Sequence, residues 1–251
     1  MPGRSLAFFV TCLTDQFYPR VGVAVVKVLE HLGWRVEFPH SQTCCGQPFH
    51  NGGYEADSVV LARRFIEVFE PYPYIVTPSG SCCAMVRAHY KEILAGDAGW
   101  QARAQAISNK TYDFVEFLER VEHFDPASVS LPVAQDVTYH YTCHLRSLGI
   151  RSQQADFLSR MGNLRYVPLQ KADQCCGFGG VFALKFPHIS GAMVEDKADR
   201  IRATGAGVTI CNDAGCTMNI AGMCHRHELP TQVMHIAELL ADAMGLELES
   251  L

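Results

Sequence analysis

The sequence predicts an α/β protein of two tandem, homologous lobes, each a mostly parallel sheet flanked by helices, with cysteines gathered at strand carboxyl ends. Three observations predict it. Thr11, Cys12, Cys44, Cys45 and Gly46 recur at Thr142, Cys143, Cys175, Cys176 and Gly177, every one displaced by 131 residues, and one shared offset across five positions marks an internal duplication. Strand-like and helix-like segments alternate in the same order in both halves, which favours parallel strands with helices outside. A chain of 251 residues with 48% hydrophobic content can bury the core that such an arrangement needs.

LAFFVTC (6–12) and DVTYHYTC (136–143) are β-branched and aromatic runs, each read as a strand that delivers its cysteine at the carboxyl end. A helix follows in both. RVGVAVVKVLEHLG (20–33) carries Val21, Val25, Val28, Leu29 and Leu32 at helical spacing and stops at Gly33, while QQADFLSRMG (153–162) stops at Gly162. Short strands come next, in WRVEF (34–38) and LRYVPL (164–169), and lead into the two Cys-Cys-Gly turns. A second helix, DSVVLARRFIEVFE (57–70) or SGAMVEDKADRIRATG (190–205), precedes a third strand, PYIVTP (73–78) or AGVTIC (206–211). Those strands run into further cysteines, in SGSCC and DAGC. The final helix, QVMHIAELLADAMG (232–245), matches YDFVEFLER (112–120) of the first half, which also carries an additional stretch at 96–110. Residues 121–136, with Pro126, Pro132 and small polar residues, interrupt the pattern and read as the linker.

Composition narrows the function. A formal net charge of -5 gives no electrostatic case for nucleic acid. The apolar run at 6–13 is short, contains Thr11 and Cys12 and has no cleavage pattern after it, which argues against a secretory signal. VGVAVVKVL (21–29) is broken by Lys27 and far too short to cross a bilayer. A soluble, cytoplasmic protein without a transmembrane segment is expected. Its eleven cysteines are odd in number, and the chain is larger than the small secreted domains that depend on disulfides, so metal-bound thiolates in a reducing compartment are expected instead.

Each half offers one cysteine after its first strand, two on a turn and one after its third strand. Four thiolates then converge at strand ends, where ligands of parallel sheets collect. Four is the usual thiolate count of an iron–sulfur cluster. Adjacent residues of a strand point to opposite faces, so Cys44 with Cys45, or Cys175 with Cys176, can share a ligand only on a turn, and Gly46 and Gly177 supply the positive φ such a turn needs. Structural zinc also takes four thiolates, usually through C-x-x-C knuckles, and free thiols are the third reading. Cys83, Cys211 and Cys224 read as small buried apolar residues. His50, His140 and His144 stand within a few residues of the cysteines, placed either to hydrogen-bond cluster sulfur or simply to pack. CHRH (224–227) reads as a solvated loop, and GFGG (177–180) lacks the full dinucleotide fingerprint.

FFVTCLTDQFYP, CCGQP, TPSGSC, CCGFGG, DAGCTMNIAG and VMHIAELL, in this order, resemble the lactate utilization protein A family. That family lies within a wider group of cysteine-rich CCG domains, which includes the CCG-bearing subunit of heterodisulfide reductase and the iron–sulfur subunits of glycolate oxidase and anaerobic glycerol-3-phosphate dehydrogenase. The resemblance covers nearly the whole chain. It implies two CCG domains, at 1–125 and 132–251, binding two 4Fe-4S clusters, one per lobe, in a protein that acts with two partner subunits to oxidise L-lactate to pyruvate. Carried over residue by residue, it puts Cys12, Cys44, Cys45 and Cys82 around one cluster and Cys143, Cys175, Cys176 and Cys216 around the other. Aligning CAM with CTM between the halves favours Cys83 over Cys82, while the PSGSC motif favours Cys82, which is taken as the ligand. The wider group often closes each repeat with C-x-x-C; this chain instead has Ser79 three before Cys82 and Asp213 three before Cys216, so that fifth cysteine is missing. An electron-transfer subunit of a lactate-oxidising complex is the first function implied. A heterodisulfide-reductase-like catalytic subunit acting on a disulfide and a zinc-stabilised assembly protein are the alternatives. No residue is arranged to deprotonate or bind lactate, so its oxidation falls to a partner.

Overall fold

A computed structural model describes residues 4–248, so residues 1–3 and 249–251 of the two expected domains lie outside the described residues. In the first sheet, β1 (Ser5–Phe8), β2 (Arg35–Glu37), β3 (Ile75–Thr77) and β4 (Thr111–Asp113) lie in the order β2-β1-β3-β4. The second sheet repeats it: β5 (Ser130–Tyr139), β6 (Gly162–Tyr166), β7 (Val208–Cys211) and β8 (Gln232–His235) lie in the order β6-β5-β7-β8. Every pairing is parallel. The expected α/β architecture of two homologous, helix-flanked parallel sheets is therefore present.

Period-two alternation decides what each sheet face buries. On β1, Leu6 and Phe8 enter a core common to both lobes, while Ala7 and Phe9 enter an outer core with Phe65, Ile66 and Phe69. On β5 and β7, Val137, Tyr139, Val208 and Ile210 face the common core, and Cys211 faces the second lobe's outer core. Helix Pro19–His31 of the first lobe packs on helix Ile236–Ala243 of the second, through residues such as Val25, Val28, Leu239 and Leu240. Lys27 Nζ donates to the Glu247 carbonyl at 2.6 Å, and Arg20 pairs with Glu238 at 3.5 Å, along the same seam. The lobes thus share one continuous core.

Three details differ from the sequence reading. Each sheet has a fourth strand, β4 or β8, of three or four residues that runs directly into helix Phe114–Arg120 or Ile236–Ala243. So short a strand joined to an amphipathic helix leaves no separate signal in the pattern. The linker is shorter than 121–136, because β5 already begins at Ser130. Pro132 is tolerated there: the β5–β6 register shifts between Ser130 and Gln135, and β5 pairs with β7 only from Val137 onward, so no ladder bond needs its missing N–H. The additional stretch of the first half is helix Ala98–Lys110, capped by Asp97 and burying Ala104 and Ile107. Among the described residues, no helix is long and apolar enough to cross a membrane.

Because β2 and β3 flank β1, and β6 and β7 flank β5, each sheet has its topological switch point at its first strand. The crevice beyond the carboxyl ends at that point is where open parallel sheets hold ligands.

Candidate metal centre

Cys12 opens helix Cys12–Phe17 directly after β1, and Cys143 opens a 3-10 turn, Cys143–Leu148, after β5. Thr11 holds a positive φ of 70°, uncommon for a β-branched residue, and its hydroxyl donates to Thr14 Oγ1 at 3.0 Å. The two vicinal pairs sit on loops whose next residues, Gly46 and Gly177, have φ of 87° and 85°. Gly177 is required twice over, since a Cβ there would stand 2.7 Å from the Ser190 carbonyl oxygen. Each glycine N–H donates back to the first sulfur of its pair, at 3.5 Å to Cys44 and 3.3 Å to Cys175. Cys82 and Cys216 lie in the first turns of helices Gly80–Ala84 and Ala214–Arg226.

Residues far apart in sequence meet at these points. Sγ atoms are 3.6 Å apart for Cys12 and Cys44, 3.3 Å for Cys45 and Cys82, and 3.4 Å for Cys176 and Cys216. Cys143 donates to Cys175 in the position that Cys12 takes toward Cys44. Of the eight sulfurs, those of Cys45, Cys82, Cys176 and Cys216 are on buried residues, and Cys12 is exposed. Cys83 Sγ lies instead beside Arg87, which pairs with the buried Glu116. Cys211 and Cys224 pack in the outer core of the second lobe.

The sulfurs do not share protons evenly. The Cys44 thiol is pulled down to about 3 by hydrogen bonds from Cys12 and Cys45, with the Gly46 N–H assisting. Cys12 and Cys45 are pushed up, chiefly because each donates to Cys44, with burial adding to the rise. Cys175 is lowered in the same way by Cys143 and Cys176. One thiolate therefore stands ready in each lobe, and metal binding would displace the remaining protons.

Both sulfur sets line a single cavity of about 360 Å³, walled otherwise by Leu13, Pro48, Phe178, Val181 and Leu184. GFGG contributes to that wall: Gly177, Gly179 and Gly180 all have positive φ, and Gly180 lies over Pro48 of the other lobe. An all-sulfur donor set fits an iron–sulfur cluster. Pairs at 3.3–3.6 Å are close to the ~3.8 Å edge of four thiolates around one ion at 2.3 Å; one thiolate per iron needs wider spacing, and the adjoining cavity gives the sulfurs room to part.

The two departures from C-x-x-C have a structural use that the sequence reading missed. Ser79 Oγ accepts from the Cys82 N–H at 3.2 Å and donates to Asp213 Oδ2 at 2.8 Å. The same carboxylate oxygen accepts from the Ser81 N–H at 3.0 Å, and Asp213 Oδ1 accepts from the Gly215 N–H at 3.1 Å. One carboxylate thus binds the starts of both cysteine-bearing helices. Serine and aspartate directly before a helix are cap residues, and that was the available signal. The histidines separate: His140 is buried near Cys176 and Cys216, His144 Nδ1 is 3.7 Å from Cys143 Sγ, and His50 lies against His89 with ring centroids 4.7 Å apart. CHRH is not a loop. Its first three residues end helix Ala214–Arg226, because Cys224 packs into the core.

The sequence matches the model of a cysteine-rich domain designated CCG over residues 6–87 and again over 137–221. Lactate utilization protein A of Bacillus pumilus (strain SAFR-032) is 46% identical over 234 residues, which are 92% of this chain and 97% of that protein. Lactate utilization protein A 2 of Bacillus cereus (strain AH820) is 40% identical over 241 residues, 96% of this chain and 99% of its own. Among solved structures, the crystal structure of a hypothetical protein from Helicobacter pylori is similar with a TM-score of 0.68 at 11% identity. That likeness covers 98% of this chain and 50% of the other, and is one of fold alone.

Proposed function

Because the chain belongs to the lactate utilization protein A family, with its two CCG cysteine-rich domains, we propose that it is the iron–sulfur electron-transfer subunit of a complex that oxidises L-lactate to pyruvate. The observation that carries this reading is the opening of two four-thiol sets, one from each lobe, onto the same cavity. When bound, a 4Fe-4S cluster in each lobe supplies one-electron chemistry. Two such centres match the two electrons that lactate gives up on becoming pyruvate.

Cys12, Cys44, Cys45 and Cys82 would hold one cluster, and Cys143, Cys175, Cys176 and Cys216 the other. Gly46 and Gly177 donate N–H groups to sulfur on each side. The apolar wall of Leu13, Phe178, Val181 and Leu184 limits water at the sulfurs. Among the described residues that line the cavity, Asp213 is engaged with three donors and His144 stands beside Cys143, so neither is placed to take the proton of a hydroxy acid. Oxidation of lactate at a partner's cofactor follows, with two further subunits in the complex. Leu184 on the cavity wall is 81% exposed, and Phe186 and Ile189 follow it at 51% and 54%, an apolar surface of the kind that a partner covers.

The test is purification without oxygen, followed by iron and acid-labile sulfide analysis and electron paramagnetic resonance after reduction. About eight irons and eight sulfides per chain, with a paramagnetic reduced state, is the expected result for two four-iron clusters. Zinc without sulfide would overturn it. A second reading rests on the cavity itself, which presents thiols from both sides: a disulfide bound there would change the resonance of the reduced protein on addition, as a purely electron-carrying subunit would not.

A further inference from the structure

The two sulfur sets match in position but differ in surroundings. His140 and Phe9 are equivalent, 131 residues apart and each three before the first cysteine of its lobe. Their backbones do the same work: the Phe9 N–H donates to the Val76 carbonyl and the His140 N–H to the Ile210 carbonyl, both at 2.9 Å. Their side chains do not. Phe9 packs edge-on against Phe65 and Phe69, at 4.9 and 5.6 Å, in the apolar cluster that also holds Cys45 and Cys82. His140 is 1% exposed, and neither ring nitrogen has a hydrogen-bond partner among the described residues. A ring nitrogen of His140 and the sulfurs of Cys176 and Cys216 all lie within 4.8 Å of one another.

An orphaned buried donor is costly, and phenylalanine fills the corresponding site of the first lobe without that cost. An imidazole carries at least one ring N–H in either protonation state. Four cysteines would already supply one ligand for each iron of a 4Fe-4S cluster, which leaves the ring as a donor beside a nest of sulfur acceptors. Resting on the iron–sulfur reading above, we propose that His140 donates its ring N–H to a sulfur of the second lobe's centre and so makes that centre easier to reduce than the first. A hydrogen bond to sulfur offsets the negative charge that reduction adds. Glycine N–H donors are present in both lobes; the second lobe also has His144 Nδ1 at 3.7 Å from Cys143 Sγ where the first has Leu13, so His144→Leu is measured beside the His140 variants. With that difference in ease of reduction, the second lobe's centre, on being reduced, would take its electron from the first lobe's, and no proton would leave the imidazole.

The experiment is an anaerobic reductive titration of the full chain followed by electron paramagnetic resonance, with iron and sulfide measured on every sample. Wild type is expected to reduce in two one-electron steps. His140→Phe should move the step of higher potential down toward the other and leave the lower one in place, while His140→Gln, which keeps an N–H, should hold it nearer to wild type. The wild-type signal of the more easily reduced centre should show a weakly coupled proton that exchanges in D2O and a weak nitrogen coupling to labelled histidine, both kept in His144→Leu and lost in His140→Phe. Full iron and sulfide in His140→Phe with neither step moved would overturn the proposal. So would the absence of histidine nitrogen coupling in wild type, or a coupling strong enough for direct ligation. Wild type without acid-labile sulfide would overturn the iron–sulfur reading itself, a result distinct from the others.

Discussion

Asp113→Asn should stabilise the chain above neutral pH and not at acid pH. Asp113 ends β4 with 1% exposure and caps helix Phe114–Arg120 by accepting the Val115 N–H at 3.2 Å. Gln154 and Asn212, both of the second lobe, donate to it only at 3.4 Å. Burial, and then the charge of Glu116, push its carboxyl up from 3.8 to about 7. A folded-state pKa raised above the unfolded value contributes stability that is complete below the unfolded pKa and is lost as pH rises through the folded one. At 1.36 kcal/mol per pKa unit, that shift is worth roughly 4 kcal/mol as an upper bound, reached above about pH 7. Asparagine keeps the cap through Oδ1 and carries no charge; its amide nitrogen replaces the acceptor of the 3.4 Å Asn212 bond, which holds the gain below that upper bound. Urea unfolding of both proteins under reducing, oxygen-free conditions, from about pH 5 to about pH 8.5, should show a variant advantage that grows with pH to about 2–4 kcal/mol. Thiol titrations common to both proteins cancel in the difference. A difference that stays flat across the range would refute the reasoning, because a charge-neutral change of packing has no reason to follow pH.

Gly177→Ala should be far worse than Gly46→Ala: both incur about 1–2 kcal/mol for positive φ, but only the former drives a Cβ to 2.7 Å from a backbone oxygen, against 3.3 Å from the Leu61 side chain. Thermal unfolding of the pair checks it. Cys45→Ser should lower the iron of the first lobe and Cys176→Ser that of the second, each with less effect on the other, as iron content and resonance amplitude would show; equal loss of both centres would argue against two separate sites. Asp213→Ala should instead lower metal retention in both lobes and cost about 2–4 kcal/mol, since it strands donors on both cysteine-bearing helices. Metal analysis after brief chelator exposure distinguishes the patterns.

Much of the fold was legible because duplication gave every motif a second witness. A strand ending in Thr-Cys, twice at the same offset, and a Cys-Cys-Gly turn, twice, point to two repeated α/β lobes and to the place where sulfurs gather, and the φ values of Gly46 and Gly177 follow from the turn's own need. The fourth strands were hidden because strand-like residues such as Thr111 and Tyr112 merge at once into a helix, and β5 was foreshortened because Pro132 signals a break whether or not a neighbour needs its N–H. Asp213 escaped for another reason. Its letter reads locally as a helix cap, but its bond to Ser79 spans 134 residues, and no periodicity reports a partner at that distance. His140 and Phe9 stand in equivalent columns of the repeat, yet only burial shows that one ring carries two nitrogens without a partner among the described residues.

The Ser79–Asp213 bond also accounts for the missing cysteines. A residue three before the last cysteine of each repeat sits at the mouth of its helix, facing both its own sulfur set and the opposite lobe. A thiol there would add a sulfur to the metal site but would be a poor cap and a poor partner for a carboxylate. Serine and aspartate do the reverse: across a seam that the shared core already holds, they fasten the helices that bear Cys82 and Cys216 directly to each other by a bond of 2.8 Å. On the proposed electron-transfer reading, a fixed gap between the two sulfur sets would count for more than a fifth ligand. The same position can serve the metal or the seam, and in this chain both copies serve the seam.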